Sequence, residues 1–275
     1  MQQIRSEPQE TKLKPRVLIA ALLALCCTFS AHAQVRLESK MATLIDDLVA
    51  ANRILYNQGV VDGFGHVSGR SPVDPTHFFM ARSVAPSIVT PIDMMEFDAD
   101  GKVVGSDTRA PYAERFIHSE IYKARPDVMA IVHAHAPSVI PFGVASVPLR
   151  PVYHMSAFLG KGTPIFDTRD AARPNPDTDL LVKTPALATK LAEKLGSSSV
   201  VLMRGHGFTV VGPSVPVVVF RSVYTEQNAH IQSEALRLGT PHFLSEQEAA
   251  LAQATMEPLS VRSWEMWKKQ AGVAP

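Results

Sequence analysis

Val128-Met129-Ala130-Ile131-Val132-His133-Ala134-His135 is the stretch from which the rest of the chain is read. Val128 to Val132 are uniformly apolar, which marks a buried strand, and the two histidines stand at its end. Side chains alternate along a strand, so His133 and His135 project from one face and can both reach one ion at about 2.0 to 2.1 Å. Strand ends are where ligand sites sit in open α/β sheets. Taken alone, a His-x-His pair also fits two ordinary strand residues.

Moving outward, Glu114 to Ala124 reads as a helix closed by Arg125-Pro126-Asp127, and the connection into the strand can return the metal face towards Glu114. Downstream, Thr184 to Leu195 reads as a helix ending at Gly196. Ser199 to Met203 and Phe208 to Val211 read as strands joined by Arg204-Gly205-His206-Gly207. A long helix is expected from Ser214 to Leu238, stopped by Gly239, with two shorter helices after it. Upstream, apolar residues at helical spacing predict a helix over 39–59 with Ser39 as N-cap. His66-Val67-Ser68, Phe78-Phe79-Met80 and Met95-Glu96-Phe97 look like short strands of a meander. Strands and helices interleave with no repeat or low-complexity linker, which points to one α/β domain.

The 275 residues are 46% hydrophobic and 19% charged, so a sizeable core is expected. Lys and Arg total 27 against 26 Asp and Glu, with no basic stripe, and a nucleic-acid partner is not expected. Arg5, Lys12, Lys14 and Arg16 precede an apolar run from Val17 to Cys27, followed by Ala31-His32-Ala33. This is the pattern of a secretory signal over residues 1–33, cleaved before Gln34, and the run is too short to act as a membrane anchor. Residues 34–275 would then form the mature protein, periplasmic or secreted. Both cysteines, Cys26 and Cys27, fall within the leader, so any metal in the mature chain must be held by His, Asp or Glu.

A third ligand is best supplied by His206, whose flanking Gly205 and Gly207 allow a close approach to a shared site; a solvent-facing turn histidine is the alternative. Three imidazoles leave a divalent ion with open positions, as catalytic sites require. Glu114 is a candidate proton carrier, although from these residues alone an ordinary acidic first-turn residue, and for His118 a partly buried helix residue, is the favoured reading. His118 lies one turn further along the same helix.

Together, Ala113-Glu114-Arg115-Phe116-Ile117-His118, Ala124-Arg125-Pro126-Asp127, Val132-His133-Ala134-His135 and Arg204-Gly205-His206-Gly207 resemble the class II aldolase/adducin family over roughly Leu44 to Leu238. The resemblance implies a single three-layer α/β/α domain with a largely antiparallel central sheet, commonly a tetramer with sites between subunits. It also implies that His133, His135 and His206 bind zinc and that Glu114 is the acid/base residue; manganese, cobalt and iron suit the same ligands. Phosphate-using members carry Gly-Asn-x-Ser and small hydroxyl residues before the Glu, whereas this chain has Gly65-His66-Val67-Ser68 and Tyr112-Ala113. A family tyrosine that assists proton transfer matches His154, beside Tyr153.

The segments around His66 and Ser68, Arg82 and Ser83, and Arg150, Tyr153 and His154 are instead similar to the branch of metal-dependent hydroxy-aromatic carboxylate decarboxylases. Either arginine can grip a carboxylate bidentately or serve as a solvated loop charge. The expectation is therefore a divalent-metal-dependent carbon-carbon lyase that decarboxylates a hydroxylated carboxylate through an enolate on the metal. Its alternatives are an aldolase acting on a small hydroxy-carbonyl compound and a non-catalytic adducin-like module.

Overall fold

In the computed structural model, residues 15–171 and 178–273 are described, 15–34 as backbone only. The described residues fall into two units that divide between Ala42 and Thr43. The first contains the leading part of helix α1 (Pro15–Asn57); Arg5, Lys12 and Lys14 of the expected leader lie outside the described residues. Contrary to expectation, Ser39 is not an N-cap. No Gly or Pro lies between Arg16 and Asn57, so nothing interrupts the helix before Ser39.

The second unit continues from α1 into the meander β1 (His66–Arg70), β2 (Phe78–Ala81) and β3 (Met94–Phe97), then α2 (Arg115–Ala124) and β4 (Ala130–Ala134). Next come α3 (Ile140–Val144), β5 (Ile165–Phe166), α4 (Thr168–Ala171) and α5 (Pro185–Leu195). Strands β6 (Val200–Met203) and β7 (Gly207–Gly212) lead to the long α6 (Val215–Leu238), and α7 (Glu246–Met256) and α8 (Ser260–Gln270) finish the chain. Thr184 and Ser214 cap α5 and α6, each accepting from a backbone N–H three residues on and each followed by Pro in the first turn.

The strands form one sheet in the order β3-β2-β1-β4-β7-β6-β5, antiparallel except where β5 joins β6. Alternation along β4 sends Ala130, Val132 and Ala134 to one face, where they pack with Ile54, Phe208, Val218 and Trp264. Ile131 goes to the other face, to meet Ile117 and Ile121 of α2, Leu191 of α5 and Val211. Helices therefore cover the sheet on both sides, which is why β4, β6 and β7 are buried throughout and read as apolar runs. His133 shares the face of Ile131, beneath α2.

Candidate metal centre

Cross-strand register assembles the site. His66 of β1 lies opposite His133 of β4, and His133 lies opposite Thr209 of β7, so the three side chains stand in a row on the α2 face. His135 comes one residue after β4 ends but keeps the alternation, and its Nε2 is 3.0 Å from that of His133. His206 sits in the β6–β7 turn, with its Nε2 3.1 Å from that of His135. The turn needs both glycines. Gly205 has φ +65°, and a Cβ on Gly207 would run into the Ala134 carbonyl oxygen, where β7 passes closest to the end of β4.

Glu114 occupies the N-cap position of α2, yet its side chain does not cap the helix. One carboxylate oxygen, Oε1, accepts from the Val182 N–H at 2.7 Å. The other, Oε2, lies 3.4 Å from His206 Nε2 and 3.6 Å from His133 Nε2. Two residues before Val182, the Leu180 carbonyl accepts from His206 Nδ1 at 2.9 Å, with Leu180 itself at φ +69°. One short strap of backbone thus holds both the acid and a histidine.

These groups fit a divalent cation. With Nδ1–H given to Leu180, neutral His206 has a lone pair at Nε2, the place that a proton shared with Glu114 takes when no cation is there. Thr209 gives its proton to Met203 Sδ and is placed to accept from His133 Nδ1 at 3.3 Å, which likewise bares Nε2 of His133. The ligand atoms of Glu114, His133, His135 and His206 all lie within 4.8 Å of one another. Ligands at about 2.1 Å in a tetrahedron are separated by about 3.4 Å, and the histidine contacts of 3.0 and 3.1 Å lie near that length, with Glu114 Oε2 beside them.

The electrostatics agree. Burial pushes the Glu114 carboxyl up, but its hydrogen bond with His206, the nearby charges of His133 and His206, and the Val182 N–H outweigh burial and hold it at about 2. Burial drives His133 well below the usual imidazole range and lowers His135. For His206, burial is overcome by Glu114, whose hydrogen bond and charge raise it. The quartet attracts positive charge.

Beside it is a second buried network. His66 Nδ1 contacts His118 Nε2 at 2.7 Å, His118 Nδ1 contacts Ser68 Oγ at 2.6 Å, and Ser68 Oγ contacts the Tyr122 hydroxyl at 2.8 Å. The rings of His66 and His133 lie 5.1 Å apart, and Tyr112 packs on His66 at 4.7 Å. Burial lowers His66 well below its usual value and takes His118 to about 3.

The remaining candidates are placed differently. Arg82 follows β2 and gives Nε to Asp93 at 2.7 Å, while both its Nη groups lack a hydrogen-bond partner among the described residues. Exposed Ser83 donates its backbone N–H to Ala110. Arg150 is exposed, with its guanidinium over Phe243. Tyr153 packs near Tyr224 and donates to Gln227 on α6, with the exposed His154 beside it. Among the described contacts, none joins Arg150, Tyr153 or His154 to the quartet. Tyr122, Thr209, Leu180 and Val182 hold the site without having been singled out in the sequence; Tyr122, one helical turn after His118 on α2, is the one with a local signal.

Residues 46–233 match the family described as Class II Aldolase and Adducin N-terminal domain. Over 243 residues the chain is 38% identical to "Decarboxylase tropJ" of Talaromyces stipitatus, covering 81% of this chain and 91% of that protein. It is 29% identical over 201 residues to a 3,4-dihydroxyphthalate decarboxylase of Arthrobacter keyseri, covering 70% and 78%. In fold it is similar to the L-fuculose 1-phosphate aldolase of Glaciozyma antarctica, with a TM-score of 0.71 and 23% identity over 86% of this chain and 92% of that one. With the α/β/α layers, the three histidines and the buried glutamate in place, this chain belongs to the class II aldolase and adducin family.

Proposed function

We propose that the protein is a divalent-metal-dependent lyase that decarboxylates a hydroxylated aromatic or heteroaromatic carboxylate. The carrying observation is the convergence of Glu114, His133, His135 and His206 on one point. The names of the relatives, tropJ decarboxylase and 3,4-dihydroxyphthalate decarboxylase, support the direction of the chemistry. His66 in place of the phosphate-binding Asn of aldolases speaks for an unphosphorylated substrate, and the presence of the whole quartet speaks against a non-catalytic module.

A divalent ion bound there, for which zinc suits the three imidazoles, would supply Lewis-acid polarisation of the substrate's oxygens. His133, His135 and His206 would hold it. Glu114 rests as a carboxylate with Oε1 tied to Val182, leaving Oε2 to take the proton of the arriving substrate's hydroxyl. The bond between ring carbon and carboxyl carbon then breaks, CO2 leaves, and the electron pair stays on the ring carbon. Glu114 Oε2 returns its proton to that carbon, while the Arg82 Nη groups are suited to gripping a carboxylate.

The test is metal analysis followed by assays of CO2 release from hydroxylated benzoates and phthalates, with fuculose 1-phosphate as the competitor. Release of CO2 that is lost with chelator and restored with zinc supports the reading. Efficient cleavage of the sugar phosphate with inert carboxylates would replace it with an aldolase. Two further parts of the reading stand on the sequence and the family: a homotetramer, and a mature chain beginning near Gln34 in the periplasm or outside the cell. Sedimentation and N-terminal sequencing from the native host check them. Among the described residues, no helix is long and apolar enough to cross a membrane.

A further inference from the structure

The network behind His66 has a direction. Each of its three contacts, at 2.7, 2.6 and 2.8 Å, accommodates one proton. Tyr122 ends the chain. Its hydroxyl is buried beside Phe78, and its one hydrogen-bond partner among the described residues is Ser68 Oγ. If Ser68 donated to Tyr122, the tyrosine's own O–H would be buried with no acceptor, an arrangement folded proteins avoid.

Ser68 is just as constrained. It is fully buried and touches only Tyr122 and His118 in this way among the described residues, so it cannot accept from both without stranding its own proton. The protons therefore run one way. Tyr122 donates to Ser68, Ser68 to His118 Nδ1, and His118 Nε2–H to His66 Nδ1. His66 is left with its single proton on Nε2, an atom with no hydrogen-bond partner among the described residues.

An Nε2–H has no lone pair to offer a metal, so His66 stays outside the ligand set although its ring is 5.1 Å from that of His133. It can only meet an acceptor. We propose that Tyr122, Ser68 and His118 are positioning residues that lock His66 as the Nε2–H tautomer, and that His66 donates this proton to a carboxylate oxygen of the substrate. The proposal deepens the decarboxylase reading and rests on it for the identity of the ligand.

Long-range proton–nitrogen NMR on 15N-histidine-labelled, zinc-loaded protein reads the tautomer without any turnover. The expected result is a protonated Nε2 and a bare Nδ1 at His66. Salicylate is the ligand probe. Its binding, measured by calorimetry, should weaken by about tenfold in His118→Leu, which lacks the donor to His66, with zinc content unchanged. It should recover in His118→Gln, whose amide can donate to His66 Nδ1. A proton on His66 Nδ1 in the parent protein, or equal salicylate affinity in His118→Leu, overturns the proposal. If the tautomer and the salicylate series come out as expected but no carboxylate loses CO2, the reaction assignment fails and the anion-donor role of His66 stands.

Discussion

Two histidine clusters lie side by side in this protein, with nitrogen contacts of nearly equal length. In the quartet, Nε2 of His135 approaches Nε2 of His133 and of His206 at 3.0 and 3.1 Å; in the chain, His66 Nδ1 approaches His118 Nε2 at 2.7 Å. What separates them lies on the far side of each ring. His206 and His133 have acceptors at Nδ1, so their inward atoms are lone pairs that converge with a carboxylate. In the chain, donors and acceptors alternate from a phenol inward. Distance alone does not distinguish a cation site from a hydrogen-bonded wire; the partner of the other nitrogen does.

The comparison breaks first at the quartet. Replacing His133 and His135 together by Ala should remove the metal and lower turnover by more than about a hundredfold, while the fold, read by circular dichroism, persists. Full metal occupancy in that variant, by elemental analysis, would mean that the convergent nitrogens are not ligands. Glu114→Gln should keep the metal and lower turnover by roughly 10²- to 10⁴-fold. Loss of metal together with activity would make Glu114 a fourth ligand instead.

The chain should reveal itself through pH. Burial lowers the folded-state pKa of His118 from 6.5 to about 3, so the unfolded chain takes up a proton that the folded one refuses. Its stabilising contribution is complete above pH 6.5 and declines as pH falls towards 3, by on the order of 5 kcal/mol. The fall in stability across that window, followed by denaturant titration, should be shallower in His118→Gln. An unchanged slope would show that His118 is not what acid attacks. Smallest is Thr209→Val: the 3.3 Å contact with His133 Nδ1 is long, and its loss should weaken metal binding by about tenfold. No change would show that this support is idle.

Much of this was legible from local pattern. His133 and His135 were found because alternation is a property of the backbone, and it held even though the strand ends at Ala134. His206 was found because glycines on both sides announced a close approach, which Gly207 makes to the Ala134 carbonyl. What stayed hidden is long-range. Nothing near Arg82 in sequence shows that the β2–β3 hairpin returns Asp93 to its guanidinium, and nothing near Glu114 shows that its partner is a backbone N–H at residue 182. The two-residue strand β5 and the short α3 offer too few residues for any period to show. Helix α1 starts well before Ser39 because an amphipathic pattern marks where one face begins to matter, not where the backbone begins to coil.

The strap from Leu180 to Val182 carries a warning for mutational scanning. It grips His206 through a carbonyl and Glu114 through an amide, both of them main-chain groups. Neither is altered by exchanging one side chain for another, so a scan through alanine would pass over this segment and score it as tolerant. The grip becomes visible only when the polypeptide itself is edited. Val182→Pro deletes the N–H that orients the acid, and an ester in place of the same amide would delete it while leaving every side chain intact.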